Sequence, residues 1–258
     1  MTKLKKTQIA NILAFVFMII MNGLANGLPL NGKTTGELSA LYPNLFVPAG
    51  ITFSIWGLIY LLVLSFLILQ TKYIFSRASA DKSLIVKKIK NWFVVSCLLN
   101  GAWILAWHYQ WLFCSLSIMF LLLLSLIKIN EKVSAKKTER SSDKTLLWKA
   151  CFGIYLGWIL VASIANTTAL LVNFNVNMSV FTPQIWTSIL IVIGCVIGLV
   201  CKFKFRNIFV LLAIVWALCG ILIARDKDQY KYPVINYTCY SCISLLVIGA
   251  SLKSKKRF

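Results

Sequence analysis

Residues 150–172, ACFGIYLGWILVASIANTTALLV, run for 23 positions without a charged side chain. At about 1.5 Å of rise per residue, a helix of that length crosses a hydrocarbon layer of roughly 30 Å. Within lipid every backbone polar group needs a partner inside its own segment or barrel, so this stretch is predicted to be a transmembrane helix. Tyr155, Trp158, Ala162, Ala165 and Ala169 recur at three- and four-residue spacing and share one face, with Asn166 beside it. Small side chains let neighbouring helices approach closely, and an amide facing lipid is costly. The face is therefore read as turned inward. A packing seam would account for it, and so would a binding surface.

The rest of the chain repeats this pattern. It is 59% hydrophobic, has a mean hydropathy of +0.81, and is 13% charged, about half the fraction typical of a soluble domain. These values predict an all-α, polytopic membrane bundle of about eight helices. The spans are expected at 8–27, 48–71, 91–107, 112–127, 150–172, 185–201, 208–224 and 233–252. The net charge of +20 would suit nucleic acid if it were clustered on a soluble surface. It lies instead in short segments between apolar runs, so no nucleic-acid partner is expected, and the partner is membrane lipid. With the N-terminus inside, 23 of the 27 Lys and Arg fall on the inner side. The positive-inside rule then places both termini in the cytoplasm and the loops 28–47, 173–182 and 225–232 outside. Loop 28–47 is long for a connection within a bundle, and such loops often act as lids.

Little acid–base or metal chemistry is available. The seven acidic residues all fall in the loops expected between the predicted spans, and His108, at the hairpin between spans three and four, is the only histidine. It is expected to be an interfacial residue at a helix end. With no ionisable group inside a span, ion-coupled transport is disfavoured, and no enzymatic or metal site is expected. Cys239 and Cys242 form a C-x-x-C one helical turn apart inside an apolar span, which fits packing better than redox or metal chemistry. Gly153 and Gly157 form a G-x-x-x-G that would suit a homodimer contact.

The spans do hold amides and aromatic rings. Asn22 and Asn26 are paired in span one, Trp56 and Tyr60 in span two, and Asn100, Trp103 and Trp107 in span three. Trp107, Trp111 and Trp148 also fit an interfacial belt, whereas Trp56, Trp103 and Trp158 lie too deep for one. The expected ligand-binding set is Asn22, Asn26, Trp56, Tyr60, Asn100, Trp103, Trp107, Tyr155, Trp158, Ala162 and Asn166. Rings would stack on a flat hydrophobic ligand, while Asn100 and Asn166 would orient it or tie helices together.

Three motifs occur in a familiar order. V-P-A-G-I-T-F-S-I-W-G-L-I-Y at 47–60, N-G-A-W at 100–103, and Y-L-G-W followed by A-S-I-A-N at 155–166 resemble the second, third and fifth helices of the TspO/MBR family of tryptophan-rich sensory and translocator proteins. The resemblance covers residues 8–173. It implies a five-helix bundle with an internal pocket for tetrapyrroles or other flat hydrophobic molecules. A porphyrin or haem-type ligand is thus expected, and no cofactor is required. Tyr42-Pro43-Asn44-Leu45-Phe46 lacks the tryptophan usual before the family's second helix. The three last spans are additions to the five-helix pattern. The expected organisation is a core over 1–180 and an accessory three-helix unit over 181–258. The expected function is a ligand-binding sensor or carrier in a bacterial cell membrane, its pocket open to the extracytoplasmic side. An uncoupled small-solute transporter or exporter, or a non-catalytic subunit of a membrane complex, are the alternatives.

Overall fold

The polar breaks between apolar runs become helix ends. The computed structural model describes residues 3–27, 30–71, 84–135, 145–176, 181–226 and 231–253. Among these residues ten α-helices follow one another: α1 Lys3–Asn26, α2 Thr35–Ala40, α3 Ile55–Thr71, α4 Leu84–Ile89, α5 Trp92–His108, α6 Leu112–Val133, α7 Thr145–Asn173, α8 Pro183–Phe205, α9 Phe209–Asp226 and α10 Pro233–Ser251. With the short 3₁₀ segment Gly50–Ser54 leading into α3, seven are long and apolar enough to cross a membrane. The third predicted span, α5, has 17 residues and lies just below that length. The chain is an integral membrane helical bundle. Lys72, Arg77, Lys82, Lys136, Lys137, Arg140, Lys144, Lys227, Lys255, Lys256 and Arg257, part of the basic count above, lie outside the described residues.

The long helices run alternately up and down. One end of the bundle gathers the segment 30–54, the α5–α6 turn and the C-termini of α7 and α9; it is called the loop end here. The opposite end carries the described chain ends and is called the terminal end. Short turns impose the alternation. Gln110 (φ 57°) and Arg206 (φ 48°) adopt the left-handed conformation that closes a helix C-terminus. Thr182 caps α8 by accepting from the Ile185 amide at 3.4 Å, with Pro183 in the first turn, where its missing N–H costs nothing.

The central helix is α7. Two-thirds of its most apolar window is buried, against 28–44% for the other six long spans. It packs on α3, α6, α8 and α9, while α5 lies between α1 and α6. The G-x-x-x-G of α7 is used inside the chain: Gly153 faces the Asn207 side chain, and Gly157 faces Val210 and Ala213 of α9. A Cβ at either position would collide with those atoms, so close approach of α9 is what these glycines allow. The division expected at residue 180 therefore does not coincide with a gap in packing.

Several helices outrun their predicted spans, because the basic turns at their ends remain helical. α8 continues past Cys201 to Phe205 and carries Lys202 within it, so a lysine does lie inside a helix expected to hold none. Lys202 is buried, and its Nζ donates to the Leu252 carbonyl at 2.5 Å. Two short helices also stand where loops were predicted. α4 lies in the first basic segment, burying Ile85, Val86 and Ile89. α2 lies in segment 28–47, started by Thr34 and Glu37: Thr34 Oγ1 accepts from the Glu37 amide at 3.3 Å, and the Glu37 carboxylate accepts from the Thr34 amide at 2.7 Å. This reciprocal cap is written in the sequence as T-x-x-E.

Candidate functional site

Four tryptophans meet in the loop-end half of the bundle. Trp56 of α3 and Trp103 of α5 lie 6.0 Å apart between ring centroids with planes 29° from parallel, and Trp103 and Trp107 lie 6.2 Å apart at 21°. Tyr60 also stacks with Trp56, at 5.7 Å and 20°. Trp158 of α7 meets Trp56 edge-on at 6.2 Å, and Phe53 meets Trp158 edge-on at 6.0 Å. Both arrangements suit the quadrupole of an aromatic ring. The four-ring ladder from Tyr60 to Trp107 follows from the i, i+4 spacings 56/60 and 103/107 on neighbouring helices.

These rings border a cavity of about 50 Å³. Trp56, Trp103, Trp107, Trp158, Ala162 and Asn166 line it, six of the eleven residues predicted to bind ligand. Val161 and Ala165 extend the α7 wall, and Thr35, Ser39, Phe46, Pro48 and Phe53 close the loop end. Ala217 and Ile221 of α9 complete the lining. No lining residue carries a charge.

The polar atoms here are unevenly satisfied. Asn166 Nδ2 donates to Ser115 Oγ at 2.8 Å, but its Oδ1 is buried with no partner in the protein. Trp103 Nε1 and Trp158 Nε1 are likewise buried and unpartnered. Trp107 Nε1 donates to the Thr35 carbonyl at 3.4 Å. An unsatisfied buried polar group costs about 1–3 kcal/mol. Three residues of the cavity lining thus carry buried polar atoms, two donors and one acceptor, that have no partner in the protein.

The remaining predicted residues lie beside the cavity and tie helices together. Asn22 Nδ2 donates to Asn100 Oδ1 at 2.7 Å, Tyr60 OH donates to Asn22 Oδ1 at 2.5 Å, and Asn100 Nδ2 donates to Tyr155 OH at 2.9 Å. One chain of hydrogen bonds thereby joins α1, α3, α5 and α7. Of the two roles open to Asn100, the geometry shows the tie between helices. Asn26 accepts from the Thr35 amide at 3.4 Å and so holds the start of α2.

His108 was expected at an interface, but it is fully buried at the end of α5. Its Nδ1 lies 3.1 Å from the Leu30 carbonyl, which can only accept, so Nδ1 carries the proton there. Nε2 then accepts from Thr35 Oγ1 at 3.3 Å, and the His108 carbonyl accepts from Asn31 Nδ2 at 3.1 Å. The segment 30–42 is pinned over the cavity by these bonds, by Tyr42 OH to Gln110 Oε1 at 3.2 Å, and by Tyr42 against Trp107 at 5.9 Å. Burial raises the Tyr42 hydroxyl above its ordinary pKa, keeping it neutral as a donor. Of the tryptophans assigned to a belt, Trp111 is 61% exposed, whereas Trp107 and Trp148 are buried at 6% and 4%.

Sequence reasoning missed Phe53, Ala217 and Ile221. Phe53 stands three residues before Trp56, a same-face spacing that was available as a signal. α9 carries neither an amide nor a charge between Asn207 and Arg225, so nothing in its sequence distinguished a pocket wall from a lipid face.

A family model described as a TSPO-like protein matches residues 8–252. The match extends well beyond the 8–173 on which the motifs lie and includes α8, α9 and α10. No curated protein and no solved structure matches the chain.

Proposed function

The chain belongs to the TSPO-like family, and on that premise we propose that it is a membrane-embedded binding protein for planar hydrophobic molecules such as tetrapyrroles, acting as sensor or carrier. The observation that carries this reading is the uncharged cavity bordered by Trp56, Trp103, Trp107 and Trp158, with two indole N–H groups and one amide oxygen buried without protein partners. Ring faces supply stacking area, and the unpartnered atoms supply orientation once a ligand presents an acceptor or a donor. The positive-inside count supports an opening toward the extracytoplasmic side, beneath segment 30–48.

The cavity of about 50 Å³ is far smaller than the roughly 300–1,000 Å³ of sites for drug-sized ligands. In the described conformation the space is too small for a flat ring, which therefore enters by displacing a wall. Segment 30–48 is the wall with the fewest regular hydrogen bonds, held by the His108, Tyr42 and Asn26 contacts. Titration with protoporphyrin IX, followed by tryptophan fluorescence, tests the site. Saturable quenching is expected in the wild type, with at least tenfold weaker binding in Trp56→Phe/Trp158→Phe. Quenching left unchanged by the double substitution would place the ligand elsewhere.

A further inference from the structure

α9 lies outside the motifs that carry the tryptophan pattern, yet it is fixed against the cavity at both of its ends. At the terminal end, Asn207 Nδ2 donates to the Lys149 carbonyl at 2.9 Å and to Asn130 Oδ1 at 3.1 Å, joining the start of α9 to α7 and α6. At the loop end, the Gly220 carbonyl accepts from the Ala49 amide at 2.9 Å, and Trp216 Nε1 donates to the Thr52 carbonyl at 2.8 Å. The glycine is required there, because a Cβ at 220 would run into the Thr52 side chain. These bonds leave α9 little freedom to slide or rotate. The segment it grips, Gly50–Ser54, is the one that delivers Phe53 and Trp56 to the cavity.

Beside the loop-end anchor, Ala217 and Ile221 stand one turn apart on a single face, both fully buried and both lining the cavity. Trp158 and Asn166, which also line it, each carry a buried polar atom without a protein partner, so α9 shares this space with residues of the proposed ligand site and not only with a helix seam. Resting on the binding reading above, we infer that α9 is a wall of the ligand site and that Ala217 and Ile221 set the size of the ring system it admits. Ala217 is the permissive position, where added bulk would enter the space between the indoles. Ile221 is the restrictive one, its side chain bounding the loop-end side. Because α9 is bonded to the Ala49–Thr52 backbone, the wall keeps its place when segment 30–48 moves to admit a ligand. A fixed wall opposite a movable one sorts ligands by size.

The test compares two probes of different breadth, protoporphyrin IX and 2-naphthol, by calorimetric titration of the full chain in lipid nanodiscs, with empty discs subtracted. Ala217→Leu is expected to weaken protoporphyrin binding at least tenfold more than naphthol binding. Ile221→Ala is expected to shift the same ratio at least threefold the other way. If Ala217→Leu does not fold, Ile221→Ala carries the test, since it only removes bulk. Ratios unchanged in both variants, with binding still lost in Trp56→Phe/Trp158→Phe, would overturn the role of α9 and leave the site standing. Equal binding by the wild type and by that tryptophan double variant would remove the site itself, and the wall with it.

Discussion

The two ends of the bundle interior use the same residue types to opposite effect. At the terminal end Phe66 stands 5.2 Å from Phe93, 5.3 Å from Trp148 and 5.3 Å from Phe152, a closed knot of rings at the junction of α3, α5 and α7. At the loop end the tryptophan rings are spaced at 6.0–6.2 Å and border a cavity. The amides differ in the same way. Asn130 donates to the Leu126 and Phe152 carbonyls and accepts from Asn207, while Asn207 accepts in turn from the Phe209 amide at 3.2 Å. Asn166 has only its Nδ2 engaged. The terminal end spends its rings and amides on holding helices together, and the loop end holds part of both in reserve. The contrast is one of degree, for the terminal end too keeps unpartnered atoms at Trp148 Nε1, Gln8 Oε1 and Asn11 Oδ1.

The comparison is broken most directly by altering one ring at each end. Phe66 is fully buried, and Phe66→Ala is expected to cost about 3–5 kcal/mol through the lost contacts and the void left behind. Trp103→Phe, which keeps most of the ring and deletes an N–H with no partner, is expected to cost less than about 1.5 kcal/mol, as a near-conservative apolar swap does. Thermal unfolding in one detergent would rank the two, and equal losses would mean that the loop-end rings are core like the others.

A smaller effect is expected from the amides. Asn207→Ala removes the side-chain donor that ties the start of α9 to Lys149 and Asn130, a loss of about 1–3 kcal/mol. Asn166→Ala breaks a single bond, to Ser115, and also removes an unpartnered oxygen, so its loss should be the lesser. Chemical unfolding of both variants measures the difference, and the reverse order would count against the idea of a reserve at Asn166.

Gly220→Ala sharpens the comparison from another side, because the loop end is open inside the cavity but tight behind it. The added methyl meets the Thr52 side chain, and overpacking of this kind costs about 1–3 kcal/mol. The pairing with Thr52→Ala, which removes both the hydroxyl nearest the new Cβ and the methyl behind it, is expected to recover part of that loss. Absence of any recovery would show that the strain falls on the backbone bond from Ala49 instead.

The least effect concerns pH. The Thr34 amide and hydroxyl hold the Glu37 carboxyl below its ordinary pKa, with Lys33 adding a minor attraction. A depressed carboxyl pKa contributes stability above the unfolded value, and that contribution disappears as pH falls through the folded value. Because the Glu37 carboxyl is held below its ordinary pKa, α2 should keep its cap at neutral pH and fray only as pH falls below the ordinary carboxylate value. Amide exchange of Thr35 to Leu38 against pH reads this, with Glu37→Gln as the variant that should abolish the dependence. Fraying that begins near neutral pH in the wild type would point to another group.

Much of the fold was legible in the chain itself. Long uncharged runs can satisfy their backbone in lipid only as helices, so hydropathy predicted each long helix to within a few residues, apart from the basic turns that extend them. The T-x-x-E at 34–37 and Pro183 marked helix starts by local chemistry that needs no neighbours. Six of the eleven expected ligand residues line the cavity, because same-face spacing along one helix is also a local property. The tertiary structure alone decided what each face looks at. Trp107 and Trp111 are four residues apart and alike in sequence terms, yet one is 6% and the other 61% exposed. Asn100 became a tie between helices, Asn166 a half-used amide, and Ala217 and Ile221 of α9 a cavity wall. In a soluble protein polarity separates inside from outside. In a membrane bundle lipid is as apolar as the protein interior, so the choice between a lipid face, a packed seam and a pocket waits on which helices become neighbours.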